Sequence, residues 1–486
     1  DPLRRQRQMC IRDSFKDYYV LNDVNGILFW DNATNLPSDS IGSRTEQMSI
    51  LSKLTDKIFR NPEVLDDLAD TKNLKLSDLD QKNLKLMKDI IIRENAVDPI
   101  LKTKLIEQKL KCEHLWREAR QNNDVSIIED EFNNLLNFVH EESLQLSTIT
   151  KLSPYDSLIS KYDIDYNSNK IDNIFDIIQK EIIPYYLSAD KINDPTVYKS
   201  TISENEILNQ TKEKLAELNF NFAQGRIDQS HHPFCGGANS DVRITTRFEN
   251  NILETLSALF HETGHGVYEQ NRPKELLYEP VGQSRSLSVH ESQSLFYENH
   301  IFKTIEYFIK FAEIFDNKNK LLKSFKDHYH TIRYNPVRVS SDEFSYPIHV
   351  YIRYEIEKVI FSEKIKFQDI RNLWNSMYQK YLNINLVNDT DGVLQDIHWY
   401  EGIFGYFPTY ALGAMISSQI KYNCPYYEDF LKKPESENIK NIANWLNKNI
   451  HQRASLYSSD EMLQNISGEK LNPSYYSRHL RERFLK

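Results

Sequence analysis

Apolar residues recur at three- and four-residue steps through most of this chain, which confines it to a mainly α fold. In residues 47–59, Met48, Ile50, Leu51, Leu54 and Ile58 follow that spacing, and residues 84–92 and 132–146 behave similarly. A stripe of this period runs down one side of a helix and needs a neighbour to cover it. Pro62, Pro99, Pro154, Pro184 and Pro195 fall between such segments, where helices must start or stop. Strand-like sequence is scarce. Asp241-Val242-Arg243-Ile244-Thr245-Thr246-Arg247 alternates and is β-branched, and it follows the turn-rich His232-Pro233-Phe234-Cys235-Gly236-Gly237. The absence of strand–helix alternation excludes a doubly wound sheet.

Composition narrows the class further. A net charge of −10 argues against nucleic acid as a partner, because phosphate binding needs a basic surface. With 40% hydrophobic and 27% charged residues the chain is globular in type. No apolar run reaches the roughly 18 residues of a membrane span. Cys10, Cys112, Cys235 and Cys424 form no CxxC pair, so reduced thiols in a cytosolic protein are the expectation. Residues 1–14 are basic at the start and lack the apolar stretch of a signal peptide. Residues 8–14 look like the translation of a transposon end. Residues 1–14 are therefore expected to be an artefact or a disordered tail, with residues 15–486 forming a single domain.

The chemistry centres on His261-Glu262-Thr263-Gly264-His265, within a predicted helix over residues 251–270. Histidines four apart project from one helix face and can grip one metal ion. Glu262 lies beside them, where it can hold a water and take its proton. Such a site needs a third protein ligand and an open fourth position. Glu291, 26 residues beyond His265, lies on the next predicted helix, over residues 288–307. A glutamate there is the gluzincin arrangement. Further helices are expected over residues 344–362 and 369–382, then a Gly-rich aromatic turn region over 391–413.

Together these blocks resemble the thermostable carboxypeptidase 1 (Taq-type) metallocarboxypeptidase family. The shared segments are His232-Pro233-Phe234, Asp241-Val242-Arg243-Ile244-Thr245, His261-Glu262-Thr263-Gly264-His265, His290-Glu291-Ser292-Gln293, Val337-Arg338-Val339-Ser340-Ser341-Asp342 and Gly392-Val393-Leu394-Gln395-Asp396-Ile397-His398-Trp399. Trp30-Asp31 near the start and Gly405-Tyr406-Phe407-Pro408-Thr409-Tyr410 near the end fit as well. The resemblance implies a large helical gluzincin-like metallopeptidase, with a central groove between two helical halves and a small β-element. It implies His261, His265 and Glu291 as metal ligands and Glu262 as general base. One divalent ion is expected per chain: Zn2+ is the default for this donor set, and Co2+ or Mn2+ can occupy it.

Arg338, whose planar fork suits a carboxylate, is implied as the anchor of the substrate's C-terminus, with Arg243 in support. His398, Tyr406 and Tyr410 are candidate donors to the oxyanion of the tetrahedral intermediate. Asp396 is a candidate partner for a neighbouring site residue, and His290 a residue that orients a neighbour. The implied substrates are peptides with a free C-terminal carboxylate, cleaved with broad tolerance by a cytoplasmic homodimer. The chain departs from the family at Ser341 and at Pro347, where a donor-bearing residue is expected and the entry to the following helix is in question. Two alternatives stay open: an endo-oligopeptidase or dipeptidyl carboxypeptidase of similar build, and a non-catalytic helical binding protein.

Overall fold

The computed structural model describes residues 2–70 and 76–485, with side chains for residues 10–69 and 76–485. Helices dominate it. Those that frame the candidate site are α1 (Pro2–Thr34), α2 (Ile252–Gln270), α3 (Leu287–Leu295), α4 (Tyr346–Glu363), α5 (Phe367–Leu382) and α6 (Pro408–Asn423). Among the described residues, β1 (Gly225–Gln229), β2 (Cys235–Ala238) and β3 (Asp241–Thr246) form one sheet in the order β1-β3-β2. β1 runs parallel to β3 and β2 antiparallel to it. β3 is the alternating segment read from the sequence, ending at Thr246. Its pleat buries Val242 and Ile244 and turns Arg243 to the opposite face.

Buried apolar side chains form two large clusters and a small one among the described residues. One gathers Phe132, Ile171, Ile348 and Trp374. The other gathers Leu253, Phe260, Phe302 and Phe325. The two meet along α3 and α6. Val289 belongs to the second cluster while Leu295 packs against the first, and Met415 and Ile416 divide in the same way. Two glycines permit this close approach. A Cβ on Gly264 would lie 2.4 Å from the Gln293 carbonyl oxygen, and one on Gly413 2.8 Å from Glu291 Cβ. Helix α3 is thus pressed between α2 and α6, its backbone against Gly264 and the stem of Glu291 against Gly413.

Local chemistry sets the helix starts. Asn251 caps α2 by accepting from the Leu253 N–H, and Ser286 caps α3 by accepting from the Val289 N–H. Each such cap is worth about 1 kcal/mol. The helix expected over residues 288–307 is not continuous. It is α-helical to Leu295, π-helical over Phe296–Phe302, and resumes as Ile305–Phe311. Pro347 falls in the first turn of α4, where a missing N–H breaks no helical bond. The entry to the helix carrying Arg353 is therefore undisturbed. Helix α1 includes residues 10–14, so the expected disordered tail does not describe them. Ile11 is 2% exposed and joins Phe15 and Phe59 in the small cluster, and Arg12 Nη2 pairs with Asp80 at 2.6 Å. The side chains of residues 1–9, on which the rest of that expectation falls, lie outside the described residues. No helix among the described residues is long and apolar enough to cross a membrane.

Candidate active site

His261 and His265 project from α2 toward Glu291 on α3. Donor atoms of the three lie within 4.8 Å of one another. His261 Nε2 is 3.6 Å and His265 Nε2 3.3 Å from the same oxygen, Glu291 Oε2. The other nitrogen of each imidazole is engaged. His261 Nδ1 lies 2.7 Å from Glu298 Oε2, and His265 Nδ1 lies 2.5 Å from His290 Nδ1. The two Nε2 atoms are left to converge beside the carboxylate, the donor set a divalent ion takes in place of a proton.

Charge supports the same fit. Glu262, Glu291 and Glu298 bring three carboxylates together, and Lys303 Nζ, 2.6 Å from Glu298 Oε1, meets only the last. Burial alone would lower His261, but Glu291 and Glu298 outweigh it and raise the imidazole to about 10. Burial raises Glu262 to about 7, with Glu291 and Glu298 adding to the shift and His261 opposing it. A site that attracts a proton this strongly is short of positive charge, which a bound cation would supply.

A second constellation adjoins the first. Arg338 donates through Nε and Nη2 to Asp396 Oδ1, at 3.0 and 2.8 Å, and through Nη1 to the Tyr346 hydroxyl at 2.9 Å. Arg353 donates through Nε to Asp396 Oδ2 at 2.6 Å. All three charged side chains are buried. Two guanidiniums share one carboxylate, so the cluster keeps a net positive charge. The Tyr410 ring lies 5.1 Å from the Arg338 guanidinium, and its hydroxyl is 3.2 Å from His398 Nε2. Burial raises Tyr346, Tyr406 and Tyr410, keeping the phenols protonated, and the charge of Glu291 adds to all three shifts. Burial and Arg338 lower His398 to about 4, so it is neutral near pH 7.

A two-histidine, one-glutamate cluster beside a buried arginine and protonated phenols has a counterpart among known proteins. The profile of the Carboxypeptidase Taq (M32) metallopeptidase family matches residues 10–484. The chain belongs to that family. Carboxypeptidase 1 of Bacillus subtilis is 31% identical over 97% of both chains, and thermostable carboxypeptidase 1 of Pyrococcus furiosus 26% identical over 97% of both. The solved structure of Trypanosoma cruzi metallocarboxypeptidase 1 superposes with a TM-score of 0.92 at 28% identity, covering 99% of this chain and 100% of that one. The protein is therefore a metallocarboxypeptidase, a hydrolase of peptides that works with a divalent metal.

In this metallocarboxypeptidase Arg243 does not join the Arg338 cluster through any described contact. Its guanidinium forks onto Asp241, at 3.0 Å from Nε and 2.5 Å from Nη2, and stacks 4.0 Å from the ring centre of Trp30 on α1. The pleat of β3 explains this, since Ile244 faces α2 and its neighbour must face away. Cys235 is half-buried on β2, and burial, then Glu262 and Glu269, push its thiol up. That makes it a poor nucleophile.

Several residues of the site were not read from the sequence, Arg353 on Asp396 among them. Glu298 holds His261, Glu269 holds His290, and Tyr346 shares Arg338. A signal for Glu298 existed: it lies seven residues beyond Glu291, two helical turns on. Ser257 Oγ, 2.7 Å from Glu298 Oε1, fixes that carboxylate from α2.

Proposed function

We propose that this metallocarboxypeptidase removes C-terminal amino acids one at a time, with broad side-chain tolerance and with Glu262 as the general base. The observation that carries the reading is the net positive cluster of Arg338, Asp396 and Arg353 beside the two histidines and Glu291. A peptide's terminal carboxylate would complete its charge. Arg338 spends Nε–H and one Nη2 proton on Asp396 and one Nη1 proton on the Tyr346 oxygen, so the second proton of each Nη and the Tyr346 O–H are the donors left to meet that carboxylate.

His261 Nε2, His265 Nε2 and Glu291 are the residues that would hold the ion, with Zn2+ the default and Co2+ or Mn2+ alternatives. When bound, a divalent ion supplies Lewis-acid polarisation and acidifies water. Glu262 takes the proton of the attacking water and returns it to the leaving amine. Tyr410, set by His398, and Tyr406 offer hydroxyl donors to the developing oxyanion. We also carry over a homodimer and a cytoplasmic location from the resemblance; a light-scattering mass equal to one chain would sink the first, and recovery of the protein from a non-cytoplasmic fraction the second.

The test is stepwise release. A defined peptide should lose single residues from its C-terminus, the activity should vanish with a chelator, and Zn2+ should restore it. Release of dipeptides, or internal cleavage, would instead favour the related oligopeptidase activities. A second reading of Arg338 rests on its burial, 5% exposed, and its bonds to Asp396, which suit a purely structural cation. Arg338→Ala separates the two. For the clamp, the preference for a peptide acid over its C-terminal amide should fall by about tenfold or more, the worth of a charge-assisted bond. An unchanged preference removes Arg338 from substrate binding.

A further inference from the structure

His261 and His265 are held in different ways. His261 meets a carboxylate directly, the common arrangement for a ligating imidazole. His265 meets another histidine. Its Nδ1 is 2.5 Å from His290 Nδ1, and His290 Nε2 is 2.7 Å from Glu269 Oε1. The carboxylate is thus reached through an intervening ring. His290 immediately precedes Glu291 in α3, so one short segment supplies both a candidate ligand and the partner of another.

Proton positions follow from the chemistry. For His265 Nε2 to offer a lone pair, its proton must sit on Nδ1. That N–H can only donate if His290 Nδ1 is unprotonated. The His290 proton must then sit on Nε2, where Glu269 accepts it. The opposite tautomer of either ring would set two lone pairs or two N–H groups against each other. Glu269 is kept as an acceptor by Arg272, whose Nε lies 2.9 Å from Oε2. Arg272 is itself 5% exposed and donates onward to Gln283 Oε1 at 2.6 Å and to Asn239, which donates to Asp23 of α1 at 3.2 Å. The His290 ring is confined on its other side by Tyr268, with ring centres 5.3 Å apart. Arg272 thus meets Glu269 as an ion pair, without a hydrogen bond from Nε, while its two Nη groups carry the line on to Gln283 and Asn239.

We propose that His290 and Glu269 are positioning residues for the metal: through the Nδ1-to-Nδ1 bond they hold His265 in the one tautomer and orientation that can ligate. This rests on the reading of His261, His265 and Glu291 as the metal site. His290 touches neither substrate nor the reacting atoms; it acts through His265.

The experiment is equilibrium Zn2+ binding to the full-length enzyme, by competition with a chromogenic chelator, beside the thermal midpoint of the metal-free protein. Wild type should bind one Zn2+ per chain, and His265→Ala should abolish tight binding. His290→Phe fills the ring's volume without an acceptor and should weaken binding by roughly 10- to 100-fold. His290→Asn restores an acceptor oxygen near the Nδ1 position and should recover about half of that loss or more on a logarithmic scale. A packing role would instead lower the metal-free midpoint in both variants and leave the Zn2+ Kd unchanged in both, which overturns the proposal. Equal weakening by both variants also overturns it, because the acceptor would then be irrelevant. Should His290→Phe fail to fold, Glu269→Ala is the substitute: about tenfold weaker binding is expected, and an unchanged Kd overturns the idea. If wild type binds no Zn2+, or His265→Ala binds as well as wild type, the reading of the site itself fails. Loss at His265 with no effect at His290 or Glu269 refutes the relay alone.

Discussion

Glu262→Gln should keep its metal and lose turnover by about 10²- to 10⁴-fold, the range expected when a general base is removed. The change is nearly isosteric, so the buried position, 7% exposed, stays filled. What changes is proton chemistry. A carboxylate can accept the water's proton and pass it to the amine, and a carboxamide can do neither. The converging atoms of His261, His265 and Glu291 are untouched, because Glu262 belongs to none of those contacts. Two measurements decide the outcome: metal content by elemental analysis, and kcat on a peptide acid. Full metal with near-normal kcat would mean that another group activates water, and the role assigned to Glu262 would fall. Loss of metal alongside kcat would mean that the substitution had disturbed the ligands, and the kinetic loss would then say nothing about a base.

The sequence spacing of His261, His265 and Glu291 anticipated their convergence in space, because function forces that spacing. Histidines four apart on a helix leave little freedom, and a glutamate on the next helix completes a donor set that chemistry demands. The helix over residues 251–270 was legible for the same reason: its apolar flank of Leu256, Leu259, Phe260 and Val267 is the face that becomes buried. Glu269 was not legible, because a carboxylate that holds another side chain is marked only by its partner in space, and Glu298 offered only its seven-residue spacing from Glu291, which names no partner. The π-helical turn over Phe296–Phe302 was also invisible, since its residues continue the apolar spacing of an ordinary helix. At residues 10–14 the structure is helical and not a disordered tail. The likeness of residues 8–14 to a transposon end set Ile11 aside, although it lies four residues before Phe15 and both are buried. Arg243 was grouped with Arg338 by family motif, yet strand alternation, itself readable, turns it to the face opposite Val242 and Ile244, where it meets Asp241 and Trp30.

Asp396→Ala should destabilise the protein by about 3–5 kcal/mol, the cost of leaving buried charges without their partner. The size comes from an asymmetry in the cluster. Asp396 serves two arginines, through Oδ1 to Arg338 and Oδ2 to Arg353, whereas each arginine has one carboxylate. Arg353→Met removes one cation and leaves Asp396 bonded to Arg338, so its cost should be clearly smaller. Asp396→Ala leaves two guanidiniums 6% and 0% exposed, with Gln395, Tyr346 and the His349 carbonyl as neutral acceptors. Burial alone would raise the Asp396 carboxyl, but Arg338 and Arg353 outweigh it and hold it far below the usual range. A depressed carboxyl stabilises the fold fully above its unfolded value, about 4, and that contribution is lost as pH falls below it toward the folded value. The wild-type advantage over Asp396→Ala should therefore be constant from neutral pH down to about 4 and shrink below it. Urea unfolding of the three proteins, followed across that range, measures both statements. If Asp396→Ala and Arg353→Met cost the same, the two arginines are not sharing one carboxylate, and the net positive charge to which we assign the peptide's C-terminus is absent.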